Sequence, residues 1–162
     1  MDYSFNMKEA MLSFNPEKGM LTSKTPDAGN KQWVKKIKGI VHILSILEDN
    51  NNYYAACEID DINGELIALD RQTGSTRWYI PGRPYLQQLF DKDLFTIFVD
   101  SEQKYFLLRV TTDDGSSRWH HSVASDLLEY TINKDRVTLH YASGQVEELN
   151  SRTGVTMTLK NI

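Results

Sequence analysis

Leu69-Asp70-Arg71-Gln72-Thr73-Gly74-Ser75-Thr76-Arg77-Trp78 decides the fold, because versions of it recur at near-regular intervals and divide the chain into similar units. Leu66 to Leu69 supply the end of one strand, Thr73-Gly74 a turn in which glycine takes a positive φ cheaply, and Trp78 sits on the returning strand. Aligning on the glycine finds the other copies. Thr111 to Trp119 contains Gly115, Asn150 to Thr158 contains Gly154, and Thr25 to Trp33 contains Gly29 in a degenerate version. From Gly29 to Gly74, Gly115 and Gly154 the steps are 45, 41 and 39 residues, and Trp33, Trp78 and Trp119 each follow their glycine by four positions. All 3 tryptophans thus occupy one repeat position. A period near 40 built from short β-type segments is that of propeller blades, not of helical repeats.

Outward from the turns, each unit reads as a four-stranded meander. Strands are predicted at 40–47, 53–59, 65–70 and 75–80 in the second repeat, with Asn63-Gly64 as a hairpin signal. They follow at 85–90, 94–99, 105–110 and 117–123 in the third, and at 127–132, 136–141, 145–149 and 155–159 in the fourth. The fourth alternates cleanly: Val137, Leu139 and Tyr141 face one way, Thr138 and His140 the other, as in a half-exposed antiparallel sheet. The first unit is the least regular. It reads as strands over 10–14 and 20–24 around an Asn15 to Gly19 turn, and Met7 to Leu12 has helix propensity as an alternative. The expectation is an all-β chain, one propeller-like domain over 1–162, with about four antiparallel four-stranded blades at 1–39, 40–82, 83–124 and 125–162.

The pattern Asp70-x-x-Thr73-Gly74-x-x-x-Trp78 resembles the tryptophan-docking repeat of quinoprotein-like (PQQ-repeat) β-propellers, in which the Trp packs between neighbouring blades. The second copy departs from it at Thr111, where the family has Asp. The first has Lys24 and Thr25 for Leu and Asp, and the fourth keeps Leu149 and Thr153-Gly154 but has Thr158 for the Trp. The resemblance implies structural roles for Gly29, Trp33, Gly74, Trp78, Gly115, Trp119 and Gly154, and carries no catalytic residue over. A last blade with no successor has no need of a docking Trp, which favours an incomplete ring that a second copy of the chain could complete; a closed four-bladed ring is the competing arrangement.

Composition narrows the function. The chain has 162 residues, is 40% hydrophobic and 25% charged, and carries a net charge of −4. That charge disfavours nucleic acid and anionic membrane as partners, because both require a basic surface. Lys31, Lys35, Lys36 and Lys38 form one basic cluster, read as a solvated strand face, since Trp33 is the only stacking aromatic within it. No apolar run reaches the length of a membrane span, and no basic region followed by an apolar one opens the chain. The expected location is the cytoplasm, with a mature exported form as the alternative.

Candidate chemistry is sparse. The single cysteine, Cys57, lies among Ala55, Ala56 and Ile59 as a small buried hydrophobe with no activating histidine nearby in sequence. His42 sits in an apolar run without a partner at metal spacing. Asp60-Asp61-Ile62-Asn63-Gly64-Glu65 lacks the alternating ligands of a calcium loop and reads as a turn. His120 and His121 are adjacent on a strand and point to opposite faces. The reading is a non-catalytic binding or protein-interaction module without a cofactor, its partner a protein or a second copy of itself. The surface expected to serve is Tyr79, Arg83, Tyr85, His120 and His121. The alternative is a fragment related to quinoprotein dehydrogenases, which the resemblance would furnish with pyrroloquinoline quinone and calcium.

Overall fold

The computed structural model describes residues 2–27 and 29–161. Among the described residues there is no helix, and sixteen strands form four separate antiparallel sheets. The chain divides into two compact units, Met1–Pro84 and Tyr85–Ile162, each holding two sheets.

In the first unit, β1 (Tyr3–Asn6), β2 (Met11–Asn15), β3 (Met20–Lys24) and β4 (Lys31–Lys36) make blade 1. Blade 2 consists of β5 (His42–Glu48), β6 (Asn52–Glu58), β7 (Gly64–Asp70) and β8 (Thr76–Pro81). In the second unit, β9 (Arg83–Phe90), which begins two residues before the unit boundary, joins β10 (Asp93–Val99), β11 (Tyr105–Thr111) and β12 (Ser117–Val123) as blade 3. Blade 4 is β13 (Leu127–Ile132), β14 (Arg136–Tyr141), β15 (Gln145–Asn150) and β16 (Thr156–Asn161). Every sheet pairs its strands in sequence order, so each blade is a simple meander.

The strands expected in blades 2 to 4 are present within one or two residues. Blade 1 differs: Met7 to Leu12 forms no helix, and its first strand, Tyr3–Asn6, went unread because Tyr-Ser-Phe-Asn is too short to show a period. Its register sets Phe5 opposite Leu12 and Tyr3 opposite Phe14, and of the two aromatics Phe5 packs against the core while Tyr3 stays exposed beside His42. Gly64 also has a different role from the expected hairpin turn. Asp60 forms the turn by accepting the backbone N–H groups of Ile62 and Asn63, whereas a Cβ on Gly64 would lie 2.4 Å from the Cys57 carbonyl oxygen. There the glycine permits a close approach of backbones.

Each unit has one core, formed where its two blades meet. In the first, Leu12, Phe14, Leu21, Trp33 and Ile37 of blade 1 pack with Ile43, Tyr53, Ala55, Cys57, Ile67 and Leu69 of blade 2. In the second, Phe95, Ile97, Leu107 and Trp119 of blade 3 pack with Tyr130, Val137, Leu139, Tyr141 and Leu149 of blade 4.

The row of side chains that crosses a blade at its tryptophan explains the missing fourth one. Paired residues in adjacent strands share a face. The rows read Phe5-Leu12-Ser23-Trp33 in blade 1 and Leu47-Tyr54-Ala68-Trp78 in blade 2. Blade 3 continues with Phe95-Arg109-Trp119, whereas blade 4 has Thr131-Thr138-Glu148-Thr158, with Arg136 paired to Glu148 at 2.5 Å. Thr158 therefore ends a wholly polar row, suited to water and not to docking another blade through an indole.

Candidate functional site

The repeat turns build the blade junctions. In all four, the glycine N–H donates to the carbonyl four residues back: Gly29 to Thr25, Gly74 to Asp70, Gly115 to Thr111 and Gly154 to Asn150. The residue accepting that bond donates its own N–H to the residue after the glycine, as Asp70 does to Ser75 and Thr25 to Asn30. The four glycines share a φ between +66° and +75°, so the degenerate first copy closes as the others do. The Asp70 carboxylate accepts the Gln72 and Thr73 N–H groups, and Asn150 Oδ1 does the same for Arg152 and Thr153. Burial pushes the Asp70 carboxyl up, but those two N–H donors and Arg77 together outweigh it and hold its pKa below the ordinary carboxylate range.

Two tryptophans dock on these turns. Trp33 lies on Gly74, where a Cβ would come within 2.4 Å of its ring, and its indole N–H donates to the Arg71 carbonyl at 2.9 Å. Trp119 lies on Gly154 with the corresponding distance 2.5 Å, and donates to the Ser151 carbonyl at 2.8 Å. Arg71 and Ser151 occupy the same repeat position. The glycine thus serves both its φ and the indole that covers it. Trp78 is buried, with its ring 5.9 Å from Tyr54 of its own blade.

Further out, the two junctions diverge. In the second unit, the residue two beyond the tryptophan is His121, whose Nε2 lies 3.0 Å from Glu147 Oε2 of blade 4. Glu147 also accepts hydrogen bonds from the Tyr141 hydroxyl at 3.0 Å and from Thr156 Oγ1 at 2.8 Å. Burial, reinforced by the neighbouring Glu147 charge, pushes the Tyr141 phenol well up. That junction is closed by a carboxylate that satisfies three partners.

In the first unit Lys35, Ile67 and Thr76 stand where His121, Glu147 and Thr156 do, Cys57 stands where Tyr141 does, and Tyr79 stands where Leu159 does. Ile67 thus offers no carboxylate to Lys35. The junction opens into a groove of about 470 Å³, with Lys35, Lys36 and Lys38 on the blade 1 side and Glu65, Ile67 and Tyr79 on the blade 2 side. Its volume is in the range of ligand clefts, about 300–1,000 Å³. Among the described residues, none of these three lysines is within ion-pair distance of a carboxylate. Tyr79 is 61% exposed, and burial raises the Glu65 carboxyl.

The sequence-predicted surface residues do not form one set. Tyr79 lines the groove. Tyr85 packs against the second unit's core, with its carbonyl accepting from Thr96 Oγ1 at 3.1 Å. His120, paired with Leu108, is exposed and meets Phe106 edge-on at 5.9 Å, whereas His121, paired with Leu107, faces blade 4. Arg83 is half-buried at the start of β9. Cys57 is fully buried, and its desolvated thiol is pushed far up. His42 is half-buried, with its ring 5.5 Å from that of Tyr3. The lysines of the groove were read as a solvated face; Ile67 at the Glu147 position was the signal that they border an open junction.

No family model and no curated protein matches the chain. Solved structures do. BamB from Moraxella catarrhalis shares 15% identity and a TM-score of 0.67 over 99% of this chain and 48% of its own. Sqt1 from Saccharomyces cerevisiae shares 12% identity and a TM-score of 0.70, over 99% and 48%. Quinohemoprotein alcohol dehydrogenase ADHIIG from Pseudomonas putida HK5 shares 11% identity and a TM-score of 0.69, over 98% and 34%. The chain therefore spans about half or less of the length of each of these. At such identities the likeness is one of fold: the blades are those of β-propellers, including the PQQ-repeat type that the tryptophan turns resemble.

Proposed function

We propose that the chain is a non-catalytic protein-interaction module whose working surface is the groove between blades 1 and 2. The observation that carries this reading is the contrast between equivalent junctions: one closed by Glu147, the other open, lined by lysines and flanked by an exposed tyrosine. Exposed aromatics beside a cleft are typical anchors of protein interfaces. The groups with reactive potential support the reading, since the Cys57 thiol is buried in its protonated form and His121 is engaged by Glu147.

The test is quantitative affinity capture with the chain and with Tyr79→Asp, which alters only an exposed side chain. A partner enriched by the first and lost with the second supports the module; captured proteins indifferent to every groove variant count against this surface. Pyrroloquinoline quinone with calcium, titrated into the chain and followed by absorbance, tests the dehydrogenase-related alternative. Saturable binding there would displace the interaction reading.

A further inference from the structure

We infer that the groove of the first unit receives an acidic, extended segment of a partner protein, one of whose carboxylates takes the place at Lys35 that Glu147 takes at His121. The inference rests on the interaction-module reading and assigns the partner's chemistry. Its basis is a substitution between structurally equivalent positions. In the second unit, the outer strand of one blade presents a nitrogen base, His121, and the next blade supplies the carboxylate, 3.0 Å away. In the first unit the outer strand presents Lys35 and the next blade supplies Ile67, which is 4% exposed and has no oxygen to offer. Lys36 and Lys38 add two more cations on the same side, in a protein whose net charge is −4. A cationic cluster against a negative background selects an anionic ligand and orients it on approach.

The opposite wall distinguishes a peptide from a nucleic acid. Glu65 lies on that wall and can accept the backbone N–H groups of an extended peptide, donors that a sugar–phosphate backbone lacks, while its charge turns the segment's own acidic side chains toward blade 1. Ile37 and Ile67 line the groove with apolar surface between the lysines and Tyr79, so an aliphatic side chain adjacent to the acidic ones has somewhere to go. The segment that fits has acidic residues toward blade 1 and an apolar residue toward Tyr79. Thr76, at the position of Thr156 in the closed junction, offers a hydroxyl to the incoming carboxylate as Thr156 does to Glu147.

The experiment is a fluorescence anisotropy titration of the chain with a labelled peptide of alternating glutamate and leucine, beside a lysine-and-leucine peptide and a single-stranded oligonucleotide of equal charge. The expected result is saturable binding of the acidic peptide that weakens with added salt, and a loss of roughly tenfold or more, about 1.4 kcal/mol per decade, in Lys35→Glu/Lys36→Glu/Lys38→Glu. That variant should then bind the lysine peptide, which a merely misfolded protein would not do. Tyr79→Ala, leaving all charges in place, should weaken the acidic peptide without removing its salt dependence. Equal binding of the acidic peptide to wild type and the triple variant overturns the inference, as does tighter binding of the oligonucleotide. A captured partner that ignores the triple variant but is lost with Tyr79→Asp would overturn the acidic-segment inference while leaving the module reading intact.

Discussion

The junction of blades 1 and 2 and that of blades 3 and 4 share one lock and differ in almost everything around it. In both, an indole covers a glycine of positive φ and donates to the carbonyl three residues before it. A guanidinium accompanies each lock but comes from opposite sides. Arg71 belongs to the turn that receives the indole; it reaches the Asp49 carbonyl at 2.7 Å and Glu9 of the neighbouring blade at 3.5 Å, with its guanidinium over Tyr53. Arg109 belongs to the blade that sends the indole; it lies over Phe95, holds Asp93 at 2.6 Å and donates to the same Ser151 carbonyl that Trp119 uses. The difference teaches that the lock is fixed in register, whereas the charges around it need only fill a place in space.

If the lock is common, losing its indole should cost the two junctions alike. Trp33→Ala and Trp119→Ala are each expected to destabilise by about 3–5 kcal/mol, the usual range for a buried large aromatic. Amide exchange should show the loss concentrated in the unit that contains the substitution. Loss spread evenly over both units would break the picture of two separate cores.

Putting a methyl group under the indole tests the same lock from the other side. Gly74→Ala and Gly154→Ala combine left-handed backbone strain of about 1–2 kcal/mol with overpacking of about 1–3 kcal/mol. Gly29→Ala, with nothing within 4 Å of the added Cβ, should show the strain alone. Urea denaturation of the three ranks them; a Gly29→Ala as damaging as the other two would dissolve the distinction.

The arginines sharpen the contrast next. Arg109→Met leaves Asp93, 2% exposed, with only Arg118, and should cost about 2–3 kcal/mol, somewhat below the range for breaking a fully buried pair. Arg71→Met, whose carboxylate neighbours lie at 3.5 and 3.7 Å, should cost less, about 1–2 kcal/mol. Thermal melts that reverse this order would show that position in the repeat, and not the partners met, sets the worth of the charge.

The smallest effect lies in the turns at acid pH. Hydrogen bonds from Ser116 and Thr111 hold the Asp114 carboxyl at about 2, below its unfolded value near ~4. A pKa lowered on folding contributes stability that is present above the unfolded value and is lost as pH falls through the folded one. Between pH ~4 and about 2, melting temperature should therefore fall less steeply in Asp114→Asn than in the parent chain. Parallel curves would remove Asp114 from the acid response.

The repeat turns were legible because their requirements are local. A glycine at positive φ, a capping Asp or Asn and a tryptophan four residues on can all be read along one chain, and they fixed the register of three blades. Tyr3–Asn6 was not legible, since a four-residue strand becomes a strand only by pairing with Met11–Asn15. The scattered surface set of Tyr79, Arg83, Tyr85, His120 and His121 was drawn from strand ends, and sequence could not tell that Tyr85 would turn to a core while Tyr79 turned to a groove.

By itself the sequence determined an all-β chain of four repeats, three of them complete meanders, because period-two patterning and turn chemistry act within a few residues. Tertiary structure alone decided which junction is closed and which is open. Lys35 and Ile67 are 32 positions apart and His121 and Glu147 are 26 apart, and only the packing of one blade on the next makes each pair neighbours. Whether a cation finds a carboxylate there is a property of two surfaces in contact, and the repeat spacing that sets Ile67 at the Glu147 position gains its meaning only once that contact is known.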